Sequence, residues 1–316
     1  MVPSTSNLAP EKQLLYEQLL DALHSLFGGM HPGYRAIHAK GIVCAGTFGP
    51  AATAASVCRA RHFQSAPTPI TVRFSDFAGV PTVSDGDPLA SPRGMAIKFH
   101  LAGGIDTDIV AQSYDGFPVR TAEEFLVFVN ALAASGPGVP SPKPIGDFLA
   151  SHPQAKRFAE APKPAPVSFA AESYYGVNAF RFTNQKGASR DIRYRIRPEA
   201  GEAHLDADEA GRRTGSFLFD ELAERLSRGS ARFRLLVQVA GEGDPVADGS
   251  LPWPEERPQV ELGTIAVTSL AADSPAAERR LLFDPARLVD GIDLSDDPLP
   301  LARSAMYAIA YRRRNA

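Results

Sequence analysis

Period-two alternation of apolar and polar residues is the feature that most narrows what this chain can fold into. In 70–77, Ile70, Val72 and Phe74 alternate with Thr71, Arg73 and Ser75; in 94–101, Met95, Ile97, Phe99 and Leu101 alternate with smaller or polar neighbours. In 191–198, Ile192, Tyr194 and Ile196 alternate with Arg193, Arg195 and Arg197. Successive side chains of a strand point to opposite faces, so each pattern predicts a strand with one apolar face. RFRLLVQV (232–239) and ELGTIAVTSL (261–270) add two more. Helical spacing marks 11–27, stopped by Gly28-Gly29, 122–135, short pieces reaching about Ala161, and 219–229. Long helical crossovers between successive strands are mostly missing. A parallel sheet requires them, so the expected class is α+β, with an antiparallel sheet or barrel and flanking helices.

A length of 316 residues suits one large domain or two ordinary ones. The stretch rich in Pro and Gly from Gly136 to Pro144 reads as a loop within one domain. The opening helix, within 1–30, is expected to belong to the same domain as the barrel over 31–316. Lys plus Arg number 33 against 36 for Asp plus Glu, and this near-balance gives no general attraction for nucleic acid or an anionic membrane. The expected partners are small molecules, and the expected assembly is a monomer or small homo-oligomer. Cys44 and Cys58 are too few for a disulfide framework and lack the paired spacing of a zinc site. The start of the chain shows no basic stretch followed by an apolar run, and nothing approaches the roughly 18 uninterrupted apolar residues that span a bilayer, so a cytoplasmic location is expected by default.

Walker phosphate loops, complete G-x-G-x-x-G, H-E-x-x-H and G-x-S-x-G patterns are all absent; GEGDPV at 241–246 lacks the third glycine. What remains is a set of scattered segments. YRAIHAKGIVCAGTFG (34–49) places Arg35 and His38 just before an expected strand. ITVRFSDFAG (70–79) puts Arg73 on the face opposite Ile70, Val72 and Phe74. In RSAMYAIAYRRR (303–314), a helix would set Arg303 and Tyr307 one turn apart on one face. Taken singly, each has a bland account: a structural histidine, a solvated arginine, a surface pair.

Read in order, these segments resemble the haem catalase family. They run R-x-x-H with a following K/R-G strand, V-R-F-S with an A-G turn, and D-P-x-x-S-P-R-G-M-A-I-K-F (87–99), which is similar to that family's D-P-R-G-F-A-V-K-F with an insertion. F-D-P-A-R-L and G-I-D-x-S-D-D-P-L (283–299) and R-x-x-x-Y (303–307) complete the series. The likeness is collinear over roughly 31 to 314, and it is greatest to the small catalase-related peroxidases.

The resemblance implies a catalase-like antiparallel β-barrel in a single haem domain holding haem b. It makes His38 the distal general base, a role a neutral imidazole suits because it both accepts and donates a proton near pH 7. Tyr307 is implied as the proximal iron ligand, bound as a phenolate favoured by the metal's charge and by the guanidinium of Arg303. Arg35 and Arg73 match the family's arginines for the haem propionates, where a bidentate fork suits a carboxylate, and Arg314 falls where another such arginine stands. Ser75 is implied close to the distal histidine. Phe125 is implied on the distal haem face, with simple core packing as its other reading.

Two departures stand out. The position of the family's distal asparagine is Gln112, whose extra methylene displaces the amide donor by more than about 1 Å unless the backbone compensates, which tells against true catalatic disproportionation. The chain also stops soon after Tyr307 and carries a shorter N-terminal arm than full-length catalases, so a wider approach to the iron is expected. The expected activity is peroxidase: peroxide is reduced at the expense of a small organic reductant. A hydroperoxide lyase or isomerase on the same fold, and a barrel that carries haem or another apolar ligand without catalysis, are the alternatives.

Overall fold

The computed structural model describes residues 8–64, 66–136 and 138–316; residues 1–7 of the expected 1–30 segment lie outside them. Ten strands form one sheet: β1 (Gly41–Pro50), β2 (Thr68–Ser75), β3 (Gly94–Leu101), β4 (Ile105–Gln112), β5 (Tyr174–Tyr175), β6 (Phe180–Thr183), β7 (Ser189–Pro198), β8 (Ala231–Val239), β9 (Gln259–Leu270) and β10 (Ile292–Leu294). The order is β10-β6-β7-β5-β4-β3-β2-β1-β9-β8, and β8 also pairs with β7. That pairing closes eight of them into a barrel, every ladder antiparallel. The expected α+β class with an antiparallel barrel is what the chain forms. Closure pairs those eight strands all round, leaving an edge only on the short β6–β10 extension that branches from β7.

The alternating residues fill the barrel. Val72 pairs with Ile97 and Phe74 with Met95 across β2–β3, and all four are buried. Phe74 meets Phe169, Tyr174 and Phe233 at ring-centroid distances of 5.4, 6.0 and 6.0 Å, and Tyr174 meets Phe233 at 6.2 Å, forming an aromatic cluster inside the barrel. Cys44 and Cys58 are both buried as free thiols in this core.

Helices α1 (Pro10–Leu26), α2 (Ala54–Val57), α3 (Ala122–Ala133), α4 (Pro144–Ser151), α5 (Pro153–Glu160), α6 (Ala207–Arg212), α7 (Phe217–Arg228), α8 (Ser274–Arg280) and α9 (Leu299–Asn315) flank it. A second apolar cluster is built by α1, α3, α4 and α9, through Leu19, Leu20, Leu23, Phe128, Val129, Phe148, Met306 and Ile309. None of the helices among the described residues is long and apolar enough to cross a membrane.

This helical layer changes the meaning of the strands' polar face. Alternation predicts that Arg73 and Ser75 face away from Phe74, and they do, yet Arg73 is only 4% exposed and Ser75 3%. The outer face of β2, β3 and β4 looks into a cavity roofed by α1, α3 and α9, instead of into water.

Candidate haem cavity and its arginine rim

His38 sits in the segment entering β1, with a backbone φ of 56°, in the left-handed region; it is the only such non-glycine residue among the described ones. That conformation costs about 1–3 kcal/mol unless its surroundings impose it. Here they do: the His38 N–H donates to the Phe77 carbonyl at 2.6 Å, and the next N–H, of Ala39, to Ala78 at 3.0 Å. The ring packs edge-on to Phe77, centroids 5.4 Å apart. Its Nδ1 lies 3.0 Å from the Asp76 carbonyl oxygen and 3.1 Å from the Ser75 hydroxyl. A carbonyl only accepts, so Nδ1 carries the proton and Nε2 is left as the basic nitrogen. Burial, helped by the nearby charge of Arg73, pulls the His38 pKa down to about 3, which keeps the imidazole neutral at physiological pH.

Gly94 at the start of β3 makes this possible. A Cβ there would lie 2.6 Å from the Ser75 hydroxyl oxygen and 2.9 Å from His38 Nδ1. Behind the histidine, Asp76 accepts from Arg93, which also donates to the Ala90 carbonyl at 2.8 Å. Burial pushes the Asp76 carboxyl up to about 7, against the pull of Arg93 and with Asp85 adding to the push.

On α9, Arg303 and Tyr307 stand one turn apart as the R-x-x-x-Y spacing predicts. Arg303 donates to the Tyr307 oxygen through Nη2 at 3.1 Å and Nε at 3.4 Å. Its third contact, from Nη1, is to Asn178 Oδ1 at 2.5 Å, and Asn178 Nδ2 donates to Asp297 at 2.8 Å. Asp297 Oδ1 also accepts from the Leu299 N–H at 2.9 Å, at the first turn of α9. A buried Asp–Asn–Arg chain thus fixes the guanidinium against the phenol.

His38, Arg35, Arg73, Ser75, Gln112, Phe125, Arg303, Tyr307 and Arg314, all nine residues singled out from the sequence, line one cavity. The space between them is mostly apolar, walled by Ala36, Ala96, Val110, Phe117, Phe128 and Met306 among others. Phe125 packs against Phe117 and Phe128, centroids 5.0 and 6.3 Å away, so it belongs both to the helical core and to the cavity wall. Gln112, at the end of β4, has its amide nitrogen turned to the carbonyls of Gly116 (2.6 Å) and Tyr114 (3.4 Å).

Arg35, Arg73 and Arg314 form a rim. Arg73 donates through Nε to both oxygens of Glu278, at 2.7 and 2.9 Å, and Arg35 pairs with the same carboxylate. Burial and the proximity of Arg73 pull Arg35 down to about 9 and Arg314 to about 10. For Glu278, burial pushes its pKa up but Arg73 and Arg35 outweigh it, so the carboxyl sits below its ordinary range. The Arg314 Nε is buried without a hydrogen-bond partner.

Sequence reasoning passes over Glu278, Asn178, Asp297 and the Asp76–Arg93 pair. Asp297 does fall inside the quoted G-I-D-x-S-D-D-P-L segment, but its neighbour Asn178 lies 119 residues earlier and only the fold brings them together.

A closed antiparallel barrel whose outer wall and helical roof enclose an apolar, arginine-rimmed cavity defines a catalase-type protein. The sequence profile of the Catalase family matches residues 16–316, and the chain belongs to that family. It is 36% identical over 301 residues to a protein named catalase-related peroxidase from Mycolicibacterium paratuberculosis, covering 94% of each chain. A protein of the same name from Synechococcus elongatus is 30% identical, with 94% of this chain and 88% of the relative covered. Among solved structures, a fungal catalase superposes with a TM-score of 0.80 at 23% identity, and catalase A from Saccharomyces cerevisiae with 0.79 at 22%. This chain covers 60% and 62% of those two chains, a little under two thirds of their length.

Family membership implies a haem, and the residues present fit one. The cavity is largely apolar, offers the imidazole of His38 and the phenol of Tyr307, its other phenol, Tyr175, being held by Arg197 at 2.8 Å, and recognises carboxylates at its rim, where Glu278 already stands in for that chemistry. The unpartnered Nε of Arg314 is a further donor waiting for an acceptor.

Proposed function

We propose that this protein is a haem b peroxidase of a single haem domain, reducing hydrogen peroxide or organic hydroperoxides with electrons from a small organic donor. The observation that carries this reading is that His38 and Tyr307 line the same cavity, together with four arginines and a largely apolar wall. The names of its relatives support it from the other side.

Tyr307 would hold the iron through its oxygen, with Arg303 favouring the anionic form, while Arg35, Arg73 and Arg314 would take the propionates. Haem bound there supplies an iron centre that accepts the oxidising equivalents of a peroxide and passes them on to the donor. The rest is done by the protein. His38, neutral and with its proton fixed on Nδ1, would present Nε2 to take the peroxide's proton and return it to the oxygen that leaves as water or alcohol; two electrons from the donor and two protons convert the other oxygen to water, so that ROOH becomes ROH and H2O overall. The Asp76 carbonyl and Ser75 hydroxyl keep the ring in that tautomer. The apolar wall limits water around the reacting oxygens, which strengthens each of these interactions.

Gln112 favours peroxidase over catalase action. Its amide nitrogen donates to two backbone carbonyls, so both of its protons are engaged and donating to a second peroxide would require giving up at least the longer bond, 3.4 Å to Tyr114. The test is to load purified protein with haem b and follow both peroxide-dependent oxidation of a phenolic donor and oxygen release. Donor oxidation is expected to dominate, and His38→Ala is expected to retain haem while reacting with peroxide about 10²–10⁴-fold more slowly. Equal rates in parent and variant would remove His38 from the role of base.

A further inference from the structure

The two rim arginines nearest His38 are already engaged by a carboxylate from the chain itself. Arg73 gives its Nε to both oxygens of Glu278 and its Nη2 to the His38 carbonyl at 2.7 Å. Arg35 gives Nη1 to Glu278 and Nη2 to the Leu281 carbonyl at 3.0 Å. Arg314 also donates to the Leu281 carbonyl, at 2.7 Å. A glutamate side chain and a porphyrin propionate end in the same group on the same two-carbon stem, so these guanidinium donors recognise both equally well.

We infer that Glu278 is an internal competitor for the propionates, occupying Arg35 and Arg73 until haem displaces it and so setting how readily the cavity takes up haem. This rests on the haem reading above. The helix that carries the glutamate is built to yield. No residue of α8 is fully buried; besides the Glu278 pairs and the bonds of Arg35 and Arg314 to Leu281, two hydrogen bonds tie it to other elements among the described residues. The Ser274 hydroxyl accepts from the Val43 N–H at 3.0 Å, and the Arg279 carbonyl accepts from Asn315 at 3.3 Å. Directly after it, Leu281 and Leu282 line the cavity. Releasing Glu278 would therefore free the Arg73 Nε and one Arg35 nitrogen for another carboxylate, with the Leu281 carbonyl still held by Arg35 and Arg314. The competition is specific to carboxylates: a porphyrin without them gains nothing from the vacated arginines.

The experiment titrates haem-free protein with haem b and, separately, with haem b dimethyl ester, which has no free propionates, following Soret absorbance for the parent, Glu278→Gln and Glu278→Asp. Glu278→Gln is expected to bind haem b at least about ten-fold more tightly or faster than the parent, with the shorter aspartate in between. For the dimethyl ester the three proteins should agree within about two-fold. Circular dichroism of the haem-free proteins checks that each variant is folded, and Glu278→Asp keeps the charge should the glutamine variant fail to fold. Unchanged or weaker haem b binding in the variants would overturn the inference, since it would make Glu278 a brace that holds the arginines ready. An equal gain for the ester would also overturn it. Failure of the parent to bind either porphyrin would overturn the haem reading along with it, a result distinct from both.

Discussion

Arg303 directs two nitrogens of its guanidinium at the oxygen of Tyr307, at 3.1 and 3.4 Å, while Asn178 holds the third from the other side. Hydrogen bonds from a cation to an oxygen are roughly twice as strong when that oxygen is anionic. Arg303→Leu is therefore expected to weaken haem retention by about ten-fold or more, through loss of a charge-assisted pair of about 1.5–3 kcal/mol. Arg303→Lys should fall between, since an ammonium is a point charge without the planar fork. Soret titrations check both. Unaltered affinity in Arg303→Leu would mean that the phenol binds without help.

Gly94→Ala should cripple the distal side while sparing the barrel. The added methyl would lie 2.6 Å from the Ser75 hydroxyl and 2.9 Å from His38 Nδ1, inside van der Waals contact. We expect haem binding within a few-fold of the parent and a slower reaction with peroxide, by about ten-fold or more. Adding Ser75→Ala to it should recover part of the rate, because the tighter of the two clashes is removed. Stopped-flow mixing with peroxide measures all three proteins; no recovery in the double variant would place the damage elsewhere.

A second histidine makes a stability prediction. His62 is 1% exposed, packs on Phe63 and Phe99 at 3.9 and 4.7 Å between ring centroids, and has an unpartnered Nδ1. Burial alone pulls its pKa down to about 3. Below the unfolded value near 6.5, unfolded chains take up a proton that the folded protein refuses, so this histidine costs stability increasingly as pH falls from 6.5 towards 3 and costs none above 6.5. His62→Leu lacks that cost. Its stability relative to the parent should improve by about 2 kcal/mol between pH 8 and pH 5, whatever the packing change at fixed pH. Urea unfolding at the two pH values tests this, and a pH-independent difference would contradict it.

Gln112→Asn should move the balance of activities. The shorter amide cannot keep the bond to Gly116 without backbone movement and is free to donate into the cavity. Oxygen release per peroxide consumed is expected to rise several-fold, with donor oxidation little changed. An unaltered ratio of the two rates would detach residue 112 from the choice between them.

What the sequence carries follows from which physics is local. Alternation within 94–101 coincides with β3, and the helical run from 11 onward with α1, because pleat and helix periods are properties of short segments. IDTDIVAQ (105–112) escapes as a strand, since Thr107 and Ala111 make its inner face only weakly apolar and Val110 interrupts the polar row of Asp106, Asp108 and Gln112; Asp108 is nonetheless buried against Lys98 at 2.6 Å, a pairing visible only once β3 and β4 are side by side. Arg73 shows the same limit. Its face is legible, but that the face is dry depends on helices far along the chain. The nine cavity residues are recoverable because they sit in motifs whose order resembles a known family. Glu278 sits in no such motif; its meaning arises from meeting Arg35 and Arg73, 243 and 205 residues away.

The most direct test of the whole account is the resonance Raman spectrum of the ferric, haem-loaded protein beside that of Tyr307→Phe. Tyrosinate vibrations enhanced by coordination to iron are expected in the parent and absent from the variant. Identical spectra, or no such vibrations in the parent, would contradict the claim that Tyr307 holds the iron opposite His38.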